Sequence, residues 1–551
     1  MFRRVAVTFI SLVPVVLLAA TAGAAGTYWT RPAGKSGDWS DASYWSNGVP
    51  SSAARAFVTN GGTVDITQAG ASCDYLTLDN LSTVQMSSGT LFSNRPAIGG
   101  TGPATFNQTG GTFTMGAGYY LSVASHSSAP ANYKLSGNGV ISAWYEFVGM
   151  DGTGEFGQSG GANTVTGVLF VGYRSSGTYS LSSGYLNTCI TEVGAGGDAL
   201  SSGTFTQSGG THSVSNYLYV GTDDNDSGTY ILNGPGKMIA AVGEYVGEHG
   251  QGNFTQSSGT NSAGLWLYLG DKLDSNGTYA LSGSGQLAAA TEYLGNYGSG
   301  TFTQTGGSNS ASNLIFASIS GSSGVYDLNG GVLSTTAMSR GSGTSQFNFG
   351  GGTLKAGGRL STSLPMTLTG VGGNANVDTA GFVVTFSGSL SGRGGLNKLG
   401  SNTLTLAAAN TYTGDTTVGA GTLTLANSGS LLLDVNNATN SLITVASGAK
   451  LDLFGTIRVD TGDITISSGN WTLVSNAGTD VYEPSFSLAM LNSGSFTQVN
   501  DIWTYVSGSR QWTFTESTGV LSLVTVPEPS TLVLLSVAAI GLLGCAWRKQ
   551  R

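Results

Sequence analysis

Residues able to do chemistry are few in this chain, and they do not fall into the patterns that catalysis needs. There are three histidines, His126, His212 and His249. None sits at an H-x-x-x-H spacing or beside a cysteine, so no zinc set is present. All three lie in Gly/Ser-rich stretches and are expected to face solvent. Neither a G-x-S-x-G nucleophile elbow nor a phosphate-binding loop occurs. The densest carboxylate group is Asp223-Asp224-Asn225-Asp226, with Asp271 and Asp274 in the same loop one repeat later. Asp223, Asp224 and Asp226 are hard oxygen ligands of the kind Ca2+ takes, but the loop lacks the EF-hand pattern. A solvated turn is the competing reading. Apart from that Ca2+, no cofactor is expected.

Glycan-cleaving enzymes set two carboxylates roughly 5 to 9.5 Å apart. Here Glu146, Glu244 and Glu292 recur with the repeat described below. An active site should break a repeat, and these obey it, so the chain is read as non-catalytic. Three tryptophans near the start, Trp29, Trp39 and Trp45, stand among Gly37, Gly48 and Pro50. They suit a cap over an otherwise open strand edge, or a platform on which a sugar ring stacks. Cys73, Cys189 and Cys545 are too far apart to suggest a disulfide framework.

Composition says what must position these residues. Of 551 residues, 87 are Gly and 9% are charged, against roughly 25% charged in an ordinary domain. Gly, Asn, Ser and Thr supply turns, and Thr, Val, Tyr and Phe supply strands. Between the termini no window keeps helical apolar spacing. The formal net charge is −9. Setting aside Arg3, Arg4, Glu528, Arg548, Lys549 and Arg551 in the two end segments leaves 16 basic against 29 acidic residues, a net of −13. That balance excludes a nucleic-acid partner.

The middle of the chain is periodic. Phe106, Phe156, Phe205, Phe254 and Phe302 recur at steps of 50, 49, 49 and 48 residues. Tyr133, Tyr179, Tyr230, Tyr279 and Tyr326 interleave with them, so an aromatic returns every 23 to 27 residues. Gln108, Gln158, Gln207, Gln256 and Gln304 hold one place in the Phe coils. Leu135, Leu181, Leu232, Leu281 and Leu328 hold it in the Tyr coils. The unit of about 49 residues is therefore two coils of about 24, each strand, Gly turn, strand, Gly-rich turn, short strand. A coil of that length buries its apolar face only by stacking on its neighbours, which makes a β-solenoid. Glu146, Glu244 and Glu292 fall in alternate coils, about 10 Å apart, which keeps like charges from facing one another.

The ends bear on destination. Residues 1–25 read as a signal peptide, with Arg3 and Arg4, an apolar run from Val5 to Ala20, and a small-x-small cleavage site at Ala22 and Ala24. At the other end Pro527-Glu528-Pro529 precedes 18 uncharged residues, Ser530 to Trp547, and then Arg548, Lys549 and Arg551. An apolar run of that length suits a membrane span, and the basic end stays cytoplasmic. This order resembles the PEP-CTERM sorting signal. The resemblance implies a Sec-exported precursor held in the inner membrane of a Gram-negative-type cell by its C-terminal helix. It further implies an exosortase partner that cuts near the motif, and a host that makes exopolysaccharide. The Trp-rich opening resembles the start of many exported solenoid proteins with such tails.

Gly394-Gly395-Leu396, Lys398, Gly400, Asn410, Tyr412-Thr413-Gly414, Thr416-Thr417-Val418 and Gly421-Thr422-Leu423 lie within residues 392–425. That run resembles the autotransporter-associated β-strand repeat, which implies a right-handed parallel β-helix. No outer-membrane barrel follows it, so self-translocation is not expected. The expected organisation is a signal peptide (1–25), a Trp-rich cap with first coils (26–95) and double-coil repeats (96–345). After these come the β-helix continuation (346–455), a C-terminal β segment (456–525) and the sorting signal (526–551). Together these readings describe an all-β, non-catalytic surface or extracellular protein with a structural or adhesive role in an exopolysaccharide matrix. The alternatives are a carbohydrate-binding surface protein and a β-helix polysaccharide lyase or hydrolase.

Overall fold

The computed structural model describes residues 26–126, 130–196, 201–526 and 538–540. Two compact units are present, Met1–Leu169 with Ser175–Gly177, and Phe170–Arg174 with Thr178–Arg551. Each is built from parallel strands that pair coil on coil, the β-solenoid that the aromatic period requires.

One coil of the second unit shows how sequence makes the shape. Strands Gln251–Gln256, Thr260–Ser262 and Trp266–Leu269 are separated by corners at Gly259 and Gly264. In Gln251–Gln256 the residues alternate, with Gly252, Phe254 and Gln256 buried and the others outward. Such alternation puts one face of each strand in the core. Leu267 and Leu269 are buried from the third strand in the same way. Gly252 stands where the chain closes on itself. A Cβ there would lie 2.0 Å from the Gly247 amide nitrogen and 2.4 Å from the Val220 carbonyl oxygen. Gly270 turns the last corner at a φ of +68°, which favours glycine.

The register is in step from coil to coil. In the second unit Phe205, Tyr230, Phe254, Tyr279, Phe302 and Tyr326 are successive direct partners. Their rings stack with centroids 4.6 to 5.0 Å apart and nearly parallel planes. That distance is the spacing of hydrogen-bonded strands, so backbone pairing and ring stacking are satisfied by one translation. The first unit holds the same arrangement over Phe106, Tyr133 and Phe156, with rings 4.9 and 4.7 Å apart.

The aromatic column ends at Phe347, where Met366 and then Leu390 take its place, and separate parallel sheets form, one running from Leu360–Thr362 through Thr403–Leu406 and Thr422–Leu425 to Thr479–Tyr482. Parallel coils thus persist into the 456–525 segment, where Thr456–Asp460 pairs with Ser487–Met490. The segment ends in an antiparallel sheet of Gly469–Thr472, Thr497–Val499, Ile502–Ser507, Arg510–Thr515 and Val520–Thr525. At the start of the first unit, Thr27–Tyr28 and Ser36–Asp38 pair with Arg55–Val58 and Thr63–Ile66, covering the edge of the first coil.

Phe254→Ala removes a ring packed between Tyr230 and Tyr279 at 4.7 Å from each. A denaturant titration should show a loss of about 3–5 kcal/mol, the range for deleting a buried aromatic.

Candidate functional site

A repeated set of hydrogen-bonded polar groups lies inside the solenoid. Gln256 is fully buried. Its Oε1 accepts the Tyr279 hydroxyl at 2.6 Å, and its Nε2 donates to the carbonyls of Gly259 at 3.1 Å and Gln286 at 3.0 Å. Gln207 holds Tyr230, Gly210 and Lys237 in the same way, and Gln304 holds Tyr326, Gly307 and Val332. Gln108 in the first unit serves Tyr133, Gly111 and Val140. The strict alternation of Phe with Tyr and of Gln with Leu follows from this. A Tyr hydroxyl meets the Gln of the preceding coil, whereas a Phe ring lies over a coil that carries Leu. A buried hydroxyl without its acceptor is costly, so the two columns are locked together.

A second polar set crosses the corner. Glu244 Oε2 accepts from Asn261 Nδ2 at 3.0 Å, and Glu292 Oε2 from Asn309 Nδ2 at 3.1 Å. In the first unit Glu146 Oε2 accepts from Asn163 Nδ2 at 2.9 Å. Burial pushes each of the three carboxyls up to about 7. Their alternate placement matches the alternate placement of Asn. They are core groups paired with amides and do not form a two-carboxylate site.

His212 corrects the expectation that the histidines face solvent. It is fully buried, stacked on Phe205 at 4.8 Å. Its Nε2 lies 3.1 Å from Thr191 Oγ1 and its Nδ1 3.1 Å from the Tyr230 hydroxyl. Burial lowers it to about 3, so it is neutral. The alternation in Thr211–Val214 turns it inward, a signal outweighed in the sequence by its Gly/Ser surroundings. His126 and His249 are exposed.

The remaining sequence candidates are placed as follows. Trp29, Trp39 and Trp45 are 3%, 2% and 4% exposed and pack edge to face at 5.0 Å. Trp45 Nε1 donates to the Trp39 carbonyl. With their faces covered, the three rings offer no sugar-stacking surface, which corrects that expectation and leaves the cap. Asp223, Asp224 and Asp226 are not brought together. Asp226 points inward and accepts the Ser201 amide at 3.0 Å, while Asp224 faces solvent, 3.7 Å from His249 Nδ1. The cause is a turn, in which Asn225 takes a φ of +65° and the Asp226 amide donates to the Asp223 carbonyl at 3.1 Å, so that Asp226 enters the core as Asp224 and Asn225 stay outside. Among the described residues no three His, Cys, Asp or Glu side chains gather as a metal set. A shallow groove of about 880 Å3 lies over these loops, lined by Asp224, His249, Lys272, Leu273, Asp274 and Tyr297. Cys73 and Cys189 are free thiols. Ala22, Ala24, Pro527, Glu528, Pro529, Arg548, Lys549 and Arg551, and the span 530–547, lie outside the described residues apart from 538–540. Among the described residues no helix is long and apolar enough to cross a membrane.

Lys398 has a role that sequence reasoning missed. Its side chain is buried, and Nζ reaches the carbonyls of Leu399 at 2.7 Å, Gly400 at 2.9 Å and Ala420 at 3.0 Å, and Thr379 Oγ1 at 3.2 Å. Burial lowers its ammonium to about 8, opposed by the Asp378 charge. The available signal is its inward place two residues after buried Leu396. Asn410 ties three backbone groups likewise, accepting from Leu390 and donating to Ala408 and Ser430. The polar residues of this stretch are thus fasteners of a turn.

Comparison with known families places this stretch. The passenger-associated-transport repeat profile matches residues 396–425, and the PEP-CTERM protein-sorting motif profile matches residues 525–550. The chain carries a PEP-CTERM sorting motif. A region of 92 residues is 38% identical to the adhesin BmaC autotransporter of Brucella suis biovar 1 (strain 1330). It covers 17% of this PEP-CTERM chain but 3% of that much longer relative. No solved structure matches.

Two substitutions test the fasteners. Phe254→Tyr places a hydroxyl over Leu232, the partner of Gln256 in the preceding coil, and should cost about 1–3 kcal/mol despite keeping the ring. Lys398→Met strips the Leu399, Gly400 and Ala420 carbonyls of their donor, and a loss of similar size, about 1–3 kcal/mol, is expected in denaturant titrations.

Proposed function

We propose that this chain is an exported, non-catalytic surface protein, a stiff parallel β-solenoid that serves as a structural or adhesive element. The observation that carries the reading is the joint presence of two features. A sorting motif covers residues 525–550, and a coil-on-coil solenoid includes a passenger-type repeat. The short likeness to an autotransporter adhesin supports the adhesive side. In this reading the precursor leaves through the Sec translocon after cleavage near Ala22 and Ala24. It is held in the inner membrane by residues 530–547 until an exosortase acts at Pro527-Glu528-Pro529. The body is then retained at the surface, among exopolysaccharide. The solenoid suits the task because its core groups all serve stacking, and its uncharged Ser/Thr/Asn surface is multivalent by repetition.

One observation favours a second reading, a carbohydrate-binding surface protein. The groove over Asp224, His249, Lys272 and Asp274 runs across equivalent loops of successive coils, and Tyr297 beside it is 45% exposed. An aromatic face with acidic and cationic neighbours suits a polar sugar. In this reading Tyr297 takes the place expected of the three tryptophans.

Protease shaving of intact host cells tests the first reading. The full chain should be accessible outside, and removal of 526–551 should release the body into the medium. Equal retention without the tail would contradict it. For the second reading, saturable binding to host exopolysaccharide should be lost in Tyr297→Ala with the circular dichroism unchanged. Unchanged binding would end it.

A further inference from the structure

Two buried acids in the second unit make only half of the bonds their surroundings allow. Glu244 and Glu292 are 0% and 1% exposed. Each accepts one hydrogen bond at Oε2 from an Asn amide, at 3.0 and 3.1 Å. At both places the other carboxyl oxygen, Oε1, and the other amide oxygen, Oδ1 of Asn261 or Asn309, are buried with no hydrogen-bond partner. Two bare oxygens per pair, repeated two coils apart, leave a donor missing twice in the same place. The amide cannot supply it, because Asn Nδ2 already serves the carboxyl and the hydroxyl of Tyr279 or Tyr326. A proton on the carboxyl can. An acid and an amide with opposed edges then make two hydrogen bonds, O–H to the amide oxygen and N–H to the acid carbonyl.

The register shows that the pair is a unit. Thr191, Leu218, Glu244, Leu267 and Glu292 follow one another in one column. His212, Met238, Asn261, Leu287 and Asn309 follow one another in the facing column. Where the first column holds Thr instead of Glu, the second holds His instead of Asn, and those two contact each other at 3.1 Å. Both members change together. The same coils carry Gln256 and Gln304 in another core column, so the fold accommodates a neutral amide of this size. Glutamate adds a state that titrates.

We propose that Glu244 and Glu292 stand in the folded solenoid as neutral carboxylic acids, each closing a two-bond ring with its Asn, and that their deprotonation loosens these coils as pH rises. Glu146 with Asn163 is the counterpart in the first unit. The groups facing Glu244 are the hydroxyls of Tyr230 and Tyr279, the Asn261 amide and, two coils away, the Glu292 carboxyl. Those facing Glu292 are the hydroxyls of Tyr279 and Tyr326, the Asn309 amide and the Glu244 carboxyl. No cation is among these groups. The neighbouring His212 is itself held neutral by burial.

The direction of the effect is fixed by linkage. Burial raises both acids from 4.5 to about 7. Between these values the folded state holds a proton that the unfolded state has lost, so stability rises as pH falls from about 7 to 4.5 and levels off above 7. Each acid changes the unfolding constant by about tenfold per pH unit in that window. His212 works the other way below its ordinary 6.5, so the acids are read from a difference between variants.

The test uses the full chain in detergent micelles, as wild type, Glu244→Gln/Glu292→Gln and the triple variant with Glu146→Gln. Glutamine keeps both bonds to Asn and should fold. Infrared spectra at pH 6 should show a protonated-carboxyl band in the wild type, weaker in the double variant and gone in the triple. Denaturant titrations between pH 5 and 7 should show the wild-type unfolding constant falling, relative to the double variant, by about a hundredfold per pH unit as acid is added. A wild type without the carboxyl band at pH 6 would overturn the proposal whether or not the variants fold. So would a double variant with the wild-type pH slope.

Discussion

Parallel strands stacked in step set every other feature of this molecule. When each residue lies about 4.8 Å above its equivalent, a side chain is chosen less for its own surroundings than for what its copies do to each other. Aromatic rings at that spacing stack face on face, and the near-parallel rings from Phe205 to Tyr326 follow. Glycine recurs as a column where the coil closes, because a Cβ at Gly252, Gly277 or Gly300 would meet backbone atoms of the adjoining turns. The same constraint keeps charged residues at 9% of the chain, since like charges stacked at strand spacing repel.

Polar groups enter the aromatic and Leu/Val columns of this core as repeated hydrogen-bonded sets. Gln, Tyr and two backbone carbonyls form one set, and Glu, Asn and a Tyr hydroxyl another, with Thr191 and His212 replacing the latter once. Lys398 with its three carbonyls does the equivalent in the Leu/Val coils. Each set spans more than one strand, so it ties a coil to its neighbour or closes a corner within it. Such networks give a repetitive sequence one register, because a slip of one residue would strand every donor at once.

How much of this was legible in the sequence depends on whether a partner lies one repeat away. The Phe/Tyr column and the Gln/Leu alternation have partners at the repeat distance, so the period exposed them. The Glu–Asn pairs have partners a constant 17 residues on, around a corner, and the Thr191–His212 pair is 21 apart, spacings shorter than a coil that the repeat period does not expose. His212 and Lys398 were misjudged or missed because polar residues in Gly-rich sequence look solvated, although strand alternation turns both inward. The Trp cluster carries two meanings in sequence, and only the packing of its ring faces separates them. The Asp223–Asp226 loop shows the converse. Clustering in sequence did not bring carboxylates together, because the turn at Asp224 and Asn225 sends Asp226 into the core and leaves Asp224 out.

In-register stacking is tested most directly by paired cysteines. Thr255 and Ala280 are direct partners on the outer face of adjacent coils, at a spacing within the disulfide range. Mild oxidation of Thr255→Cys/Ala280→Cys should give a disulfide between those positions, whereas Thr255→Cys/Ser282→Cys, two residues out of step, should stay reduced. Equal cross-linking of the two variants, or none in the first, would contradict the account.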